Sequence, residues 1–300
     1  MNPSVSALLD GELGVTAPVI AAAFFQNSES VWTYGDHDVL FDCASLTKIM
    51  VVVPLIAHVR PLLPDGIATK LGWMVPESKA ADCRIDELLA HCSGLPAHEH
   101  IQGNLFTIQP HLTKETRYSD IGYMLLGIFL ERLMGASLDV LAARYIFAGM
   151  DCMYRPLGMR DDRVLIATSE HRLVGEVNDD NAWAMGGVAG HAGVFASLRG
   201  VSAWVRAVLH DELRLMPESF VPFRGGTRTL GFDTVTQPSA AGSWMPPTTV
   251  GHLGFTGVSL WMDKPSGAAA ILLTNRVFYG ESLDNIRRLR PLFHDALFKS

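Results

Sequence analysis

Two side chains placed to act together stand in the stretch Phe41-Asp-Cys-Ala-Ser-Leu-Thr-Lys-Ile-Met50, where Ser45 precedes Lys48 by one helical turn. Positions three apart on a helix share a face, so the lysine amine can reach the serine hydroxyl. The residues after Lys48 are apolar, which predicts burial of the amine. Low dielectric penalises the ammonium form and lowers its pKa. A neutral amine beside a hydroxyl is a general base beside a nucleophile. A serine near a helix N-terminus also places a developing oxyanion at the positive end of the helix dipole. The plainer alternative is a serine N-cap followed by a lysine that snorkels to water.

Two further groups follow along the chain. Tyr118-Ser119-Asp120 stands just ahead of an apolar stretch, and a tyrosine held near the lysine would relay protons. Its bland reading is a half-buried tyrosine beside an aspartate N-cap. Gly251-His252-Leu253-Gly254-Phe255-Thr256-Gly257 lies at an expected strand. Glycines there mark close approach of another backbone or a ligand, or else a bulge or tight turn.

In this order the three groups resemble the serine hydrolases related to class C β-lactamases and to penicillin-binding proteins that cleave D-alanyl-D-alanine. That family carries S-x-x-K, then Y-x-N or a variant, then K-T-G or H-x-G on a strand. Here "FDCASLTKI", "YSDIGYMLLGIFLERLMG" and "GHLGFTGVSLWMD" look like those three motifs. "ELLAHCSGLP" and "GGVAGHAGVFAS" resemble segments shared by the esterase-like members. The resemblance runs from about residue 15 to residue 280.

What the resemblance implies is specific. Ser45 would be the acylated nucleophile and Lys48 its base or proton keeper. Tyr118 would assist as base for water or acid for the leaving group. Which of Lys48 and Tyr118 is the base stays open. The backbone N–H groups of Ser45 and Phe255 would form the oxyanion hole, with Gly254 beside them, and His252 would stand where other members carry lysine or tryptophan. Two departures bear on substrate. Asp120 replaces an asparagine, so an amide donor becomes a carboxylate that repels carboxylate-bearing substrates or pairs with Lys48. His252 replaces a lysine, so a fixed cation becomes a titratable one. Both weaken the case for an efficient β-lactamase and favour an ester or amide as substrate. A D-amino-acid peptidase acting on peptidoglycan fragments is the alternative enzyme, and a weak β-lactamase comes after it. A penicillin-recognising scaffold without turnover is the non-enzymatic alternative.

Composition is consistent with a folded hydrolase. The 300 residues are 48% hydrophobic and 18% charged, with a net charge of −7, which excludes a disordered chain and points away from nucleic acid and from acidic membrane surfaces. The apolar runs are too short to span a bilayer. No charged segment precedes an apolar stretch at the start, so a cytoplasmic location is expected, or a periplasmic one if a leader has been removed. Cys43, Cys83, Cys92 and Cys152 lack metal-site spacing and read as free thiols. His91, His98, His100 and His111 crowd one region with Glu99 but lack helical metal-ligand spacing, and no metal or other cofactor is expected. His191, between glycines, reads as pinning a loop by a hydrogen bond.

The elements that must hold these groups can be outlined. Residues 17–42 read as a β-hairpin, 45–60 as a helix kinked or ended by Pro54, and 82–92 as a helix stopped by Gly94 and Pro96. Residues 97–117 read as a long loop, 121–134 as a deeply buried helix capped by Ser119 or Asp120, and 138–147 as another helix. Residues 175–200 read as loop and 201–213 as helix, and strands are expected at 230–236, 252–256, 258–262 and 268–275 before a closing amphipathic helix over 282–299. This order predicts an α+β fold, a β-lactamase/transpeptidase-like antiparallel sheet flanked by helices plus a mostly helical domain. Residues 1–70 and 195–300 would form the sheet domain and 71–194 the helical one, with the site between them.

Overall fold

A computed structural model of the chain describes residues 3–101, 104–113, 115–155, 172–280 and 282–299. Among them the strands are β1 (Ile20–Gln26), β2 (Glu29–Tyr34), β3 (Phe41–Asp42), β4 (Cys152–Tyr154), β5 (Val194–Ala196), β6 (Asp233–Thr234), β7 (Val250–Leu253), β8 (Ser259–Asp263) and β9 (Ala268–Thr274). The α-helices are α1 (Pro3–Asp10), α2 (Val53–Val59), α3 (Ile85–Leu89), α4 (Asp120–Met134), α5 (Leu138–Tyr145), α6 (Asp180–Ala184), α7 (Leu198–Leu209) and α8 (Asp284–Phe298).

One antiparallel sheet has the order β2-β1-β9-β8-β7-β6. It joins the two ends of the chain, because β1 pairs with β9 from Ile20↔Thr274 to Phe25↔Ala269. The continuous apolar run of β1 has a simple cause. Ala21, Ala23 and Phe25 face the core that holds Trp204, Val205 and Val208 of α7. Ile20, Ala22 and Phe24 face the second core, with Val5 and Leu9 of α1 and Ile286, Leu289 and Phe293 of α8. A strand buried on both faces loses the usual alternation. The expected hairpin at 17–42 is β1–β2, turned by Asn27 and Ser28, both at positive φ. β3 instead joins a small sheet of order β3-β5-β4.

The helix expected over 45–60 is not uniform. Lys48–Val52 forms a wide turn in which Val53 N–H donates to the Lys48 carbonyl, and α2 follows with Pro54 as its second residue. Pro54 has no N–H to give the Met50 carbonyl. That carbonyl accepts instead from the Trp204 indole, at 3.3 Å. The kink expected at Pro54 is thus taken up as a widened turn directly after the serine.

α4 begins with Ser119, whose Oγ accepts the Gly122 N–H, and ends at Gly135 with φ 69°. Gly94 adopts the left-handed conformation expected of it. The helix expected at 82–92 shortens to α3, and α7 both begins and ends earlier than 201–213. The strand expected at 230–236 shrinks to two residues, β6. Residues 175–200, read as loop, contain α6 and β5. These are short elements held by distant partners: Asp179 caps α6, and β5 pairs with β3 and β4. α1 was not expected at all and is held by packing on α8.

Candidate active site

Ser45 follows β3 in a tight turn. Ala44, just before it, is held at φ 44°, a left-handed conformation that costs energy in a residue with a Cβ. Buried Asp42 stabilises that turn, because its Oδ1 accepts the Ala44 N–H at 2.7 Å. Its Oδ2 accepts the Asn178 N–H at 2.7 Å. The Asp42 carbonyl accepts from Thr256 Oγ1 at 2.8 Å, which ties the turn to the end of β7. Burial raises the Asp42 pKa to about 6.

Lys48 is fully buried. Its Nζ donates to Ser45 Oγ at 2.9 Å and to the His191 carbonyl at 3.0 Å. It also lies 2.7 Å from Asp120 Oδ1, an ion pair whose approach is poorly angled for a hydrogen bond. Burial alone would lower the lysine pKa, but pairing with the Asp120 carboxylate outweighs it and the net direction is up. The neutral amine expected from sequence is therefore corrected to an ammonium, held by a carboxylate from α4. Asp120 shows the reciprocal effect: burial pushes its pKa up, Lys48 and His191 pull it down, and it ends below the usual carboxylate range.

Tyr118 OH lies 2.7 Å from Ser45 Oγ. Burial raises the phenol pKa, against the pull of Lys48, so the resting tyrosine is neutral. Its ring packs on His91 at 4.6 Å between centroids and under the Arg228 guanidinium at 5.2 Å. His91 Nδ1 also accepts the Ser119 N–H, which fixes the backbone beside the tyrosine.

His252 is fully buried, with Nδ1 against the Leu253 carbonyl at 2.8 Å. Burial first, then Lys48 and Arg228, push its pKa down to about 3. The titratable cation expected there is corrected to a neutral imidazole. Gly254 is required by close packing, since a Cβ would meet Val258 Cγ2 at 2.3 Å and the Cys43 carbonyl at 2.9 Å. The end of β7 therefore lies directly against the serine turn. The backbone N–H groups of Ser45 and Phe255 donate to no acceptor among the described residues, and both residues line one cleft.

That cleft has a volume of about 710 Å³. Ser45, Tyr118, Asp120, His252, Gly254 and Phe255 all line it, so every site residue expected from sequence is gathered at it, with Lys48 directly behind. One wall is apolar, from Leu253, Leu283 and a half-exposed Phe255. The polar lining of the cleft includes His98, His100, Asp179 and Asp180. His191 does pin a loop: its Nε2 pairs with Asp179 at 2.8 Å, and its carbonyl is thereby presented to Lys48. Of the other histidines, His98 and His100 meet at the cleft, 5.4 Å between ring centroids, but the rest lie apart. His91 lies beneath Tyr118, His111 lies away by Gly94, and the described residues contain no group of three ligand types able to hold a metal ion. All four cysteines are buried, and Cys83 Sγ donates to the Ser93 carbonyl at 3.6 Å. No helix among the described residues is long and apolar enough to cross a membrane.

Arg228, Asp179 and Arg290 also line the cleft and were not singled out from sequence. Arg228 sits in an irregular segment where nothing in the spacing marks it. Asp179 could have been found as an N-cap ahead of the Asn-Ala-Trp-Ala turn of α6.

Comparison with known proteins agrees with this geometry. Residues 12–292 match the family model described as Beta-lactamase. A Salmonella gallinarum protein named "Putative D-alanyl-D-alanine carboxypeptidase" is 27% identical over 255 residues, 64% of this chain. The match takes in 57% of that relative, so the chain spans little more than half its length. A solved class C β-lactamase superposes with a TM-score of 0.77 at 15% identity, covering 98% of this chain and 95% of its own. A β-lactamase/D-alanine carboxypeptidase from Yersinia pestis gives a TM-score of 0.70 at 18% identity, with 99% of each chain covered. The fold is the β-lactamase/transpeptidase-like α+β fold, and the chain belongs to the Beta-lactamase family.

Proposed function

We propose that this protein is a serine hydrolase that acts through an acyl-enzyme on Ser45, with small esters or amides as substrates. The observation that carries the reading is the contact of Ser45 Oγ with both Lys48 Nζ, at 2.9 Å, and Tyr118 OH, at 2.7 Å, at the floor of a cleft.

The protonation states favour a particular route. Lys48 is an ammonium and Tyr118 a neutral phenol, so neither is a free base at rest. As Ser45 attacks the carbonyl, the phenol proton moves ahead to the leaving oxygen or nitrogen and the Ser45 proton passes to the Tyr118 oxygen that it vacates. The tyrosine is neutral before and after, and the Lys48 charge stabilises the phenolate character that develops in between. The oxyanion forms at the N–H groups of Ser45 and Phe255. Each such donor is worth on the order of 100- to 1000-fold in rate. Water then enters by the reverse path and releases the acid.

An uncharged ester or amide is favoured because neither Asp120, paired with Lys48, nor neutral His252 can receive a substrate carboxylate. Arg228 is engaged with Asp233, and Arg290 donates to the Gly254 and Val258 carbonyls. A D-amino-acid carboxypeptidase is the second reading, motivated by the name of the Salmonella relative. The test is hydrolysis of a nitrophenyl ester by the native protein and by Ser45→Ala, with mass spectrometry for an acyl adduct on Ser45. Equal rates in both proteins refute the acyl-enzyme. Release of D-alanine from a D-alanyl-D-alanine peptide at a higher kcat/KM than any ester selects the second reading. A fluorescent penicillin that labels the protein but is never released, without ester turnover, selects a binding scaffold.

A further inference from the structure

Arg290, on α8, is 5% exposed, yet no carboxylate among the described residues lies within ion-pair distance of it. Its Nη2 donates to the Gly254 carbonyl and to the Val258 carbonyl, each at 2.7 Å. The same two carbonyls close the turn after β7: Gly254 N–H donates to Val258 O at 2.8 Å and Gly257 N–H to Gly254 O at 3.1 Å. Arg290 Nε is buried without an acceptor. Among the described residues carbonyl dipoles compensate its charge, and the charge that acts on its pKa is another cation, Arg276.

The Gly254 carbonyl and the Phe255 N–H are the two ends of one peptide group. A cation on the carbonyl oxygen draws electron density through the amide and makes the N–H a stronger donor. That N–H has no acceptor among the described residues and belongs to a cleft-lining residue. A neutral donor would hold the turn equally well without the penalty of burying an unpaired charge. The field of such a charge in a low-dielectric site favours the oxyanion and is strongest when water is excluded. Burial lowers the Arg290 pKa to about 9, so it stays charged at neutral pH.

We propose that Arg290 is a positioning residue for the reaction, acting through the Gly254–Phe255 peptide to polarise the oxyanion-hole N–H and supplying an uncompensated positive charge behind it. This rests on the acyl-enzyme reading of Ser45, which Ser45→Ala tests separately. Two variants separate charge from hydrogen bonding: Arg290→Gln keeps a donor without charge, and Arg290→Lys keeps the charge. Three quantities are read for each: kcat and KM on a nitrophenyl ester, affinity for a phenylboronic acid that forms a tetrahedral adduct with the serine, and the infrared stretch of an isotope-labelled acyl-enzyme carbonyl. Arg290→Gln is expected to lose about 10- to 100-fold in kcat with KM little changed, within the range for a weakened oxyanion donor. Its boronate affinity falls in parallel and its carbonyl stretch moves to higher frequency, while Arg290→Lys recovers most of all three. A Gln variant with native kcat, boronate affinity and stretch, differing only in melting temperature, makes Arg290 a mere brace and overturns the proposal. If the Gln variant does not fold, the Lys variant decides: native-like stretch and affinity support the charge, and loss of both overturns it. Failure of Ser45→Ala to lose activity would sink the acyl-enzyme itself, an outcome distinct from any of these.

Discussion

Lys48 Nζ lies 2.7 Å from Asp120 Oδ1 with the lysine side chain wholly buried. This contact sets the charge state of the site. Without it, burial would leave the lysine a neutral amine. With it, the proton stays, which is why the proposed route moves protons through the tyrosine.

Asp120→Asn is therefore expected to change the pH dependence more than the fold. In the native protein Lys48 is charged throughout the neutral range, so kcat/KM shows no lysine inflection between about pH 6 and 9. In the variant the lysine pKa falls through desolvation, and an inflection enters that window. Removing one member of a buried pair costs up to about 3–5 kcal/mol. Ser45 Oγ and the His191 carbonyl still accept from Lys48, so the loss should fall short of that. An unchanged pH–rate profile in the variant would contradict the role given to the pair.

Tyr118→Phe removes the relay and leaves the ring packing on His91. A loss of about 100- to 10,000-fold in kcat is expected, the range for a positioned acid–base group, with KM nearly unchanged. Stopped-flow measurement of nitrophenol release checks this, and a variant with native kcat would return the base role to Lys48.

His252→Lys restores a cation where the imidazole is neutral. The ratio of penicillin to neutral-ester kcat/KM is expected to rise about tenfold or more, equivalent to roughly 1.4 kcal/mol of differential binding. In the native protein kcat/KM should show no His252 titration near pH 6.5, because the folded value is about 3. A native inflection that vanishes in the His252 variant would show the histidine charging in the folded state.

Stability is expected to fall on the acid side of neutrality. His91, His252 and His294 are buried with pKa values pushed below the ordinary imidazole value of 6.5, by burial first in each case. A histidine with a depressed folded pKa binds its proton more readily when unfolded. Its stabilising contribution is complete above the unfolded pKa and is lost as pH drops toward the folded one, at about 1.4 kcal/mol per pH unit for each group. Asp42 acts oppositely: its folded pKa is raised to about 6, so its contribution grows as pH falls through that value. The net slope should be close to two histidines' worth between about pH 6 and 4. Urea midpoints across that range measure it, and a flat profile would contradict the burial of neutral imidazoles.

The fold and the Ser45–Lys48 contact were legible in the chain because both rest on local order. Ser45 and Lys48 meet across one turn, and apolar periodicity marks α4, β8, β9 and α8. The short elements α6 and β5 escaped because three to five residues carry no period, and their partners lie far along the sequence. Arg228 and Arg290 escaped for a related reason. An arginine has no special spacing until β7, α8 and the segment before β6 come together around one cleft.

By itself the sequence determined the motif order, one sheet built from both chain ends and the motif residues that meet at the cleft, but not Arg228, Asp179 or Arg290. The tertiary structure decided which of those residues carry charge. A pKa depends on dielectric and on neighbouring charges within a few ångströms, and here those neighbours come from distant parts of the chain: Asp120 beside Lys48, and Lys48 and Arg228 around His252. Side-chain type alone specifies what a group can titrate to; burial and long-range contacts select the form present.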